Sequence, residues 1–416
     1  MQSNSQDEFN KDHVTVGNGG NHYSTRAVHA RERRVKPFHA LIEPIIQTST
    51  YTFDDMDDVC EYMEAEKTEP NPGGRTEYGR YGNPTIMAAE DRLAALEGAE
   101  AAVQVASGMA AITITLLSLL DTGSHMIITD DCYRRTRQFC LEYLPRFGIE
   151  FTVVPMGDYD ALENAIRPET RMLVSETPTN PYLRVLDVER FTEIARRHHL
   201  ISIVDSTFAT PINLRPLEWG IDIVIHSATK YLGGHNDLLA GFIAGRKELL
   251  TPLRVSVGIF GGISDPNTAF LLLRGMKTLS LRVEKQNQSG QQVADFLQNH
   301  PAVEKVWYPG VVTHPDHDVA ARQMEGYGGV VSFTVRGDLK TTSKVIDAMQ
   351  IPFISPSLGG VESLVIQPAV MSYYDYSPEE RRKLGIQDNL IRLALGIEDV
   401  EDLIADLEQS LKVVGG

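Results

Sequence analysis

Short apolar runs alternate with amphipathic stretches from Asn83 onward, and this alternation constrains the fold more than any other feature of the sequence. The apolar runs predict seven strands, at 102–105, 126–129, 151–154, 172–175, 201–204, 223–225 and 241–244. Between them, stretches such as 86–96, closed by Gly98, and 188–199 place apolar residues three and four positions apart, which is typical of helices. Near-continuous apolar strands that alternate with helices predict a mostly parallel seven-stranded sheet covered on both faces. The sequence therefore predicts a large α/β domain.

A second, smaller set of elements follows a long predicted helical stretch at 267–297. Predicted strands at 303–308, 330–335 and 390–395, with a closing helix at 400–413, indicate a smaller C-terminal α/β domain. The first two dozen residues are polar and rich in Gly and Asn, which predicts a mobile arm. We accordingly expect an N-terminal arm, mobile in part, over 1–65, a large domain over 66–290 and a small domain over 291–416.

Charge and composition exclude several classes of protein. The net charge of −17 disfavours binding to nucleic acid or to an anionic membrane surface, and no apolar run approaches the roughly 20 residues of a membrane span. The N-terminal sequence lacks an apolar signal core, so we expect a cytoplasmic protein. Three cysteines without metal-ligand spacing, and histidines without a ligand pattern, predict neither a disulfide nor a metal site.

Two polar residues stand where predicted strands end. Lys230 follows an apolar strand in the segment IVIHSATKYLGGHND, and Asp205 ends another strand 25 residues earlier. In isolation, Lys230 is either an exposed surface residue or an amine held in a site, and Asp205 is either a turn residue or a ligand-binding carboxylate. Because α/β sheets bind ligands beyond the carboxyl ends of their strands, we expect the two to meet. A buried lysine can form a Schiff base, and a carboxylate can keep a pyridinium nitrogen protonated, as pyridoxal phosphate chemistry requires.

The segment VASGMAA at 105–111 predicts a strand, a turn of small residues and a helix. The backbone N–H groups of Gly108 and Met109 at the helix start would bind an anion, although ordinary strand-to-helix loops also use Ser and Gly. Ser227 and Thr229 carry hydroxyl groups that suit a phosphate or a carbonyl ligand. A phosphate cup built from both segments is the sharper hypothesis.

Together these segments resemble the cysteine and methionine metabolism family of fold-type-I pyridoxal phosphate enzymes. The resemblance extends from about Ser24 to Leu411. The motifs that carry it are EYGRYGNPT (77–85), ASGMA (106–110), DCYRRTR (131–137), ETPTNP (176–181), VDSTFATP (204–211), SATKYLGGHND (227–237), SLGGVESL (357–364) and DNLIRLALGIED (388–399). The resemblance implies an aspartate aminotransferase-like large domain, a smaller C-terminal domain and pyridoxal 5'-phosphate as cofactor.

The resemblance also implies a role for each site residue. Lys230 would bond the cofactor covalently, Asp205 would pair with its pyridine nitrogen and Tyr133 would stack on its ring. Lys230, Tyr133 and Tyr78 are the implied catalytic residues. The implied phosphate ligands are Gly108, Met109, Ser227 and Thr229, joined by Tyr78 and Arg80 from a neighbouring subunit. Asn180 would lie near the ring hydroxyl, while Ser357 and Arg392 would hold the α-carboxylate of the substrate.

The sequence around Arg392 independently indicates that this residue binds a carboxylate. It lies inside the apolar run LIRLAL, and a buried guanidinium needs a carboxylate, which its planar fork binds through two hydrogen bonds.

Within the family, the segments DCYRRTR, PTNPYLRVLDV, STFATP and IQPAVMSYYD are most similar to the plant-type cystathionine gamma-synthase branch. This implies γ-replacement on an activated L-homoserine ester by L-cysteine, giving L-cystathionine. The alternatives are a γ-lyase acting on cystathionine or another γ-substituted amino acid, a homoserine-ester sulfhydrylase, or an idle vitamin B6-binding protein. The implied assembly is a homotetramer, a dimer of dimers, whose active sites are shared between subunits.

Two positions depart from common family patterns. Arg135 stands where methionine gamma-lyases usually carry a cysteine, and Pro356 stands where many members carry a glutamate before the carboxylate-binding serine. The second departure means that no role of that glutamate can be transferred to this chain.

Overall fold

A computed structural model describes residues 22–32, 35–68 and 70–415. Most of the predicted mobile segment, residues 1–21, lies outside the described residues. Within them, short 3-10 segments occur at Pro37–His39, Pro72–Gly74, Leu144–Phe147, Pro216–Trp219 and Lys412–Gly415. The α-helices are α1 (Tyr23–His29), α2 (Met56–Glu66), α3 (Pro84–Glu97), α4 (Gly108–Leu119), α5 (Arg134–Glu142), α6 (Tyr159–Asn164), α7 (Val188–Arg197), α8 (Thr210–Asn213), α9 (Lys247–Phe260), α10 (Pro266–Met276), α11 (Leu279–Asn299), α12 (His317–Gln323), α13 (Leu339–Ala348), α14 (Pro368–Met371), α15 (Pro378–Lys383) and α16 (Val400–Leu411).

The large sheet contains the seven predicted strands. They are β1 (Ala101–Val105), β2 (His125–Thr129), β3 (Glu150–Val154), β4 (Thr170–Glu176), β5 (Ile201–Asp205), β6 (Ile223–His226) and β7 (Gly241–Gly245), in the order β1-β7-β6-β5-β4-β2-β3. Strand β7 is antiparallel to both of its neighbours, and the remaining pairs are parallel. The predicted fold class, with a mostly parallel sheet, is confirmed. Apolar side chains on the two faces of this sheet pack in separate buried clusters under the flanking helices.

Helix α3 shows how local sequence sets the bounds of an element. Asn83 accepts hydrogen bonds from the backbone N–H groups of Thr85 (2.9 Å) and Ile86 (3.3 Å), and Pro84 occupies the first helical position. Both features are preferred at a helix start. Gly98 ends the helix with φ of +71°, a left-handed conformation that favours glycine.

The small sheet has the order β10-β11-β12-β9-β8. Its strands are β8 (Val303–Trp307), β9 (Val330–Val335), β10 (Phe353–Ile354), β11 (Leu364–Ile366) and β12 (Leu390–Ala394). Only β10 and β11 pair in parallel, and the sequence did not reveal these two short strands.

The prediction of a single helical stretch at 267–297 is wrong in one respect, because this part of the chain forms two helices, α10 and α11. Gly275 packs so closely on the loop after β6 that an added Cβ would lie 2.3 Å from the Gly233 carbonyl oxygen. Thr278 then donates a hydrogen bond to the Gly275 carbonyl (3.2 Å), which closes the turn between the helices. The predicted domain boundary near residue 290 falls inside α11, and the domain bounds stay a prediction.

None of the helices in the described ranges combines the length and the apolar character needed to cross a bilayer.

Candidate active site

Polar side chains gather where the parallel strands of the large sheet end. Glu176 and Asp205 are the last residues of β4 and β5, and Lys230 follows β6 after a short turn. Tyr133 follows β2 and Gly108 follows β1. Carboxyl ends of parallel strands meet at one edge of a sheet, which is where open α/β sheets bind ligands. The segments predicted to meet therefore end at the same edge of the sheet, and the roles of their residues stay a prediction.

Lys230 is half-buried, and its amine contacts the segment between β10 and β11 of the small sheet. Its Nζ donates a hydrogen bond to Ser357 Oγ at 2.7 Å. Burial lowers the pKa of Lys230 to about 8, with a smaller contribution in the same direction from the nearby Arg392 guanidinium. The amine is thus much closer to its neutral, nucleophilic form than an exposed lysine is.

Arg392 is buried in β12 and links the two sheets. Its Nη1 donates to Asn180 Oδ1 at 3.0 Å, and its Nη2 donates to the Ser357 carbonyl oxygen at 2.8 Å. Its Nε is buried without a hydrogen-bond partner among the described residues. Burial lowers the pKa of Arg392 to about 10, with Tyr231 and Tyr133 opposing the shift. A buried donor without a partner is costly, so this guanidinium has capacity left for an anionic ligand.

Ser357 joins the two cationic residues and has a strained backbone. Its φ is +129°, a region that L-residues rarely adopt. In this conformation its hydroxyl accepts from Lys230 and its carbonyl accepts from Arg392. Strain of this kind costs about 1–3 kcal/mol and persists where the surroundings fix the backbone, often at functional sites.

Asp205 belongs to a hydrogen-bond chain that sequence reasoning missed in part. It accepts from the backbone N–H (3.0 Å) and the hydroxyl (2.5 Å) of Thr207. Thr207 Oγ1 in turn accepts from the Ser227 backbone N–H at 2.8 Å. Burial raises the pKa of Asp205, and the two bonds from Thr207 oppose that shift. Thr207 therefore connects the carboxylate to the predicted phosphate cup, and its position inside VDSTFATP was the available signal.

Gly108 and Ser227 face each other across the predicted phosphate cup. A Cβ added to Gly108 would lie 2.7 Å from Ser227 Cβ, so only glycine fits there. Gly108 and Met109 open α4, whose first turn is capped by Ser107 Oγ, the acceptor for the Ala110 N–H at 3.1 Å. Helix N-termini of this kind bind phosphate through their free N–H groups.

Thr229 lies at the same edge, but its hydroxyl is already engaged. It accepts from the Ala240 backbone N–H at 3.1 Å and reaches the Ala240 carbonyl at 3.3 Å. This pairing ties the Lys230 loop to the residue before β7. A phosphate would share this hydroxyl with the backbone.

Tyr133 is the N-cap residue that precedes α5, and its ring is accessible, with 44% of the residue exposed. Its backbone N–H donates to Glu176 Oε2 at 2.7 Å. Glu176 is a site residue that sequence reasoning did not single out, although it opens the motif ETPTNP.

Tyr78 and Arg80 lie apart from this group within the chain. Arg80 Nη1 donates to the Gly258 carbonyl at 2.6 Å, and its guanidinium lies over the Tyr81 ring at 4.8 Å from the centroid. Tyr78 is 41% exposed. In the described part of the chain, the contacts of Arg80 are with Gly258, Tyr78 and Tyr81, and none of them is with Lys230.

The sequence model of the family described as "Cys/Met metabolism PLP-dependent enzyme" matches residues 24–412. The chain belongs to this family. It is accordingly a pyridoxal phosphate-dependent enzyme of sulfur amino-acid metabolism, which confirms the predicted family, enzyme class and cofactor.

Individual relatives of the family fall into two activity classes. The chain is 46% identical to "Cystathionine gamma-synthase 1, chloroplastic" of Arabidopsis thaliana over 390 residues, which is 93% of this chain and 68% of that protein. It is 39% identical to the "L-methionine gamma-lyase" of Fusobacterium nucleatum subsp. polymorphum over 394 residues, 94% of this chain and 98% of that protein. The crystal structure of metB from Corynebacterium glutamicum superposes with a TM-score of 0.88 at 34% identity, covering 95% of this chain and 99% of the other.

Two observations fit the family's cofactor. The close approach of Gly108 to Ser227 brings the N-terminus of α4 next to the Ser227 hydroxyl, and the Lys230 amine has a lowered pKa. The described residues contain no group of three His, Cys, Asp or Glu side chains arranged to hold a metal ion.

Proposed function

We propose that this enzyme catalyses γ-replacement on an activated L-homoserine ester with L-cysteine, giving L-cystathionine. The observation that carries the proposal is the 46% identity to two plant proteins named cystathionine gamma-synthase, one from Arabidopsis thaliana and one from Nicotiana tabacum. The geometry around Lys230 and Arg392 is suited to an amino-acid substrate. It offers an amine with a lowered pKa beside a buried guanidinium that can bind the substrate's carboxylate.

Pyridoxal phosphate supplies an electron sink that stabilises negative charge at substrate carbons. Lys230 is the residue that moves protons. Its amine, positioned by Ser357, removes and returns protons at the Cα and Cβ of the substrate, which prepares Cγ to lose its leaving group and accept a thiol. A pKa of about 8 keeps a useful fraction of the amine neutral near pH 7.

Arg392 and Ser357 bind the α-carboxylate of the substrate in this proposal. The unpartnered Nε of Arg392 gives the carboxylate a charge-assisted hydrogen bond in a buried site. Asn180, held by Arg392 Nη1, would lie near the ring hydroxyl of the cofactor.

The remaining site residues hold the cofactor. Asp205 would hold the pyridine nitrogen and Tyr133 would stack on the ring. Gly108, Met109, Ser227 and Thr229 would bind the phosphate, joined by Tyr78 and Arg80 from a second subunit.

The second candidate function is γ-elimination, as in a γ-lyase acting on cystathionine or another γ-substituted amino acid. It is favoured by the 39% identity to proteins named L-methionine gamma-lyase. Arg135, on the exposed side of α5, occupies the position where those lyases usually carry cysteine, and this favours the synthase. Pro356 is exposed beside Ser357 and has no side-chain donor or acceptor. Direct sulfhydrylation of the homoserine ester ranks third.

We also propose a homotetramer built as a dimer of dimers. The segment before α3 supports subunit contact, since Phe38 is 95% exposed and Leu41 is 87% exposed. Cytoplasmic location remains a prediction, and two plant relatives are named chloroplastic.

One experiment separates the candidate reactions. The purified enzyme with pyridoxal phosphate is incubated with the acetyl, succinyl and phosphoryl esters of L-homoserine, each with and without L-cysteine. We expect cystathionine to exceed 2-oxobutyrate when cysteine is present, and Lys230→Ala to form neither. If the enzyme instead releases 2-oxobutyrate from cystathionine faster than it makes cystathionine from the ester and cysteine, it is a γ-lyase.

A further inference from the structure

Glu176 is a buried carboxyl group beside the site that the proposed mechanism does not use. It ends β4 and pairs in register with Asp205 at the end of β5. Neighbouring strands lie about 4.8 Å apart, and residues paired in parallel register direct their side chains to the same face. Two carboxyl groups therefore lie side by side at the ligand-binding edge of the sheet.

The hydrogen bond of Glu176 is to a backbone group. Its Oε2 accepts the Tyr133 N–H at 2.7 Å, at the position where the loop after β2 enters α5. Tyr133 has no side-chain cap, so this bond fixes the backbone from which the aromatic ring projects. A carbonyl oxygen accepts such a bond whether or not the carboxyl group is charged.

The charges around the pair differ between its two members. Among the described residues, the titratable groups that interact with Glu176 are the carboxyls of Asp205 and Asp131 and the Cys132 thiol. Asp205, in contrast, accepts two hydrogen bonds from Thr207 and faces His226. Two adjacent buried carboxyls cannot both ionise near neutral pH, and Asp205 has the surroundings that support the anion.

We propose that Glu176 is a positioning residue that acts as the uncharged acid, so that its Oε2 holds the Tyr133 backbone while Asp205 carries the one negative charge of the pair. The inference rests on the proposed function through the role of Asp205 toward the pyridine nitrogen. Burial and the neighbouring Asp205 raise the pKa of Glu176 well above its ordinary value, in the direction that this role requires.

Infrared spectroscopy of the holoenzyme tests the protonation state directly. We expect a carbonyl stretch of a protonated carboxyl at pH 7 that disappears in Glu176→Gln. The matched control is Glu398→Gln, because Glu398 also accepts a backbone N–H, that of Ser363 at 2.6 Å, yet lies outside the carboxyl pair. Its substitution should leave the band unchanged. If Glu176→Gln instead removes a band of an ionised carboxylate, Glu176 is charged and the proposal is wrong.

The pH dependence of the melting temperature gives a second readout. An acid whose pKa is raised by folding binds its proton more tightly in the folded than in the unfolded state, so it destabilises the fold increasingly as pH rises above about 4.5. Glutamine does not titrate. The melting temperature of Glu176→Gln holoenzyme should therefore equal that of the wild type near pH 4. At pH 7 to 8 it should be higher than that of the wild type. The proposal that Glu176 is uncharged would be contradicted if the melting temperature of the variant, compared with that of the wild type, were lower at pH 7 than at pH 4.

The positioning role is tested with a pair of substitutions. Glu176→Gln keeps the acceptor for the Tyr133 N–H and should retain cofactor affinity within about threefold, whereas Glu176→Ala should lose about tenfold or more. Equal losses in both variants would show that charge, rather than the hydrogen bond, is required. An enzyme that shows the infrared and affinity pattern but makes no cystathionine would refute the proposed reaction alone.

Discussion

At the scale of single residues, the strongest constraint on the site is the incomplete hydrogen bonding of Arg392. Two of its nitrogens bind Asn180 and Ser357, while Nε is buried with no partner in the described part of the chain. Desolvating a guanidinium in this way is favourable only if an anion compensates for it. The carboxylate of an amino acid is the anion that the proposed reaction brings.

Replacing Arg392 by Ala should weaken amino-acid capture and leave the cofactor spectrum intact. Losing a buried charged partner costs about 2–5 kcal/mol, or roughly 30-fold to several thousand-fold in kcat/KM. Arg392→Lys should restore only part of the loss, because one ammonium does not reproduce the planar fork. Melting temperature, cofactor absorbance and substrate-induced spectral change are measured on the same sample. A variant that melts early but captures substrate normally would assign Arg392 to the fold instead of the site.

Lys230 predicts a pH dependence for loading the cofactor. Schiff-base formation requires the neutral amine, and burial lowers the pKa of this amine to about 8. The rate at which apoprotein takes up pyridoxal phosphate should rise about tenfold per pH unit below 8 and level off above it. Stopped-flow absorbance between pH 6 and pH 9.5 measures the profile. Borohydride should trap the cofactor on Lys230, and a midpoint near 10 would show that the amine is solvated.

At the scale of elements, one hydroxyl group joins the two loops that carry Tyr133 and Asn180. Thr179 Oγ1 donates to Asp131 Oδ2 at 2.5 Å and accepts the Arg184 N–H at 3.0 Å. Burial raises the pKa of Asp131 to about 6, with the Thr179 hydroxyl opposing the shift. The ends of β2 and β4 are thereby tied together through groups outside the sheet.

Thr179→Val should destabilise the protein by about 1–3 kcal/mol near pH 8, because it leaves a buried carboxylate without its donor. Above its folded-state pKa, Asp131 is ionised and needs that donor most. Near pH 4 Asp131 is protonated in the folded state, so the loss should be smaller there. Urea unfolding at both pH values measures it. Thr179→Ser keeps the hydroxyl and serves as the control, and equal destabilisation by both substitutions would refute the tether.

The strands of the large sheet could be predicted because they are buried on both faces and therefore almost uniformly apolar. Strand β10 escaped prediction because it has two residues, both exposed, and its pairing with β11 depends on tertiary contacts. The break between α10 and α11 escaped for a similar reason. Gly275 is required by the approach of a loop that is distant in sequence, which helical periodicity cannot reveal.

Sequence reasoning proposed site residues but could not supply the connections between them. Strand-end position indicated Lys230 and Asp205, and the apolar run LIRLAL indicated Arg392, whereas the strained φ of Ser357 left no trace in the sequence. The link from Asp205 through Thr207 to Ser227 also required coordinates, since hydroxyl residues near strand ends usually cap turns. Tertiary geometry, and not residue type, decides such contacts.

At the scale of the whole molecule, the placement of Arg80 predicts complementation between inactive variants. Its guanidinium contacts Gly258 and Tyr81 of its own chain, away from Lys230. If a second subunit supplies Arg80, mixing Arg80→Ala with Lys230→Ala through mild subunit exchange should restore about a quarter of the sites. Cystathionine formation by the mixture measures this. Each variant alone is the control, and full activity in a stable monomer would exclude the shared site.

The position of β7 between β1 and β6 has a consequence for how the enzyme is made on the ribosome. Strand β1 closes its pairing only with residues 241–245, about 140 positions later, and Gly108 meets Ser227 across a gap of about 120 positions. Pairings of such long range form late, because the loop between them must close first. A nascent chain that has exposed only its first 200 residues holds the anion-binding turn but not its opposite wall. We therefore expect both walls of the predicted phosphate cup to form only after β7 has left the ribosome, and Arg392 in β12 joins the site later still.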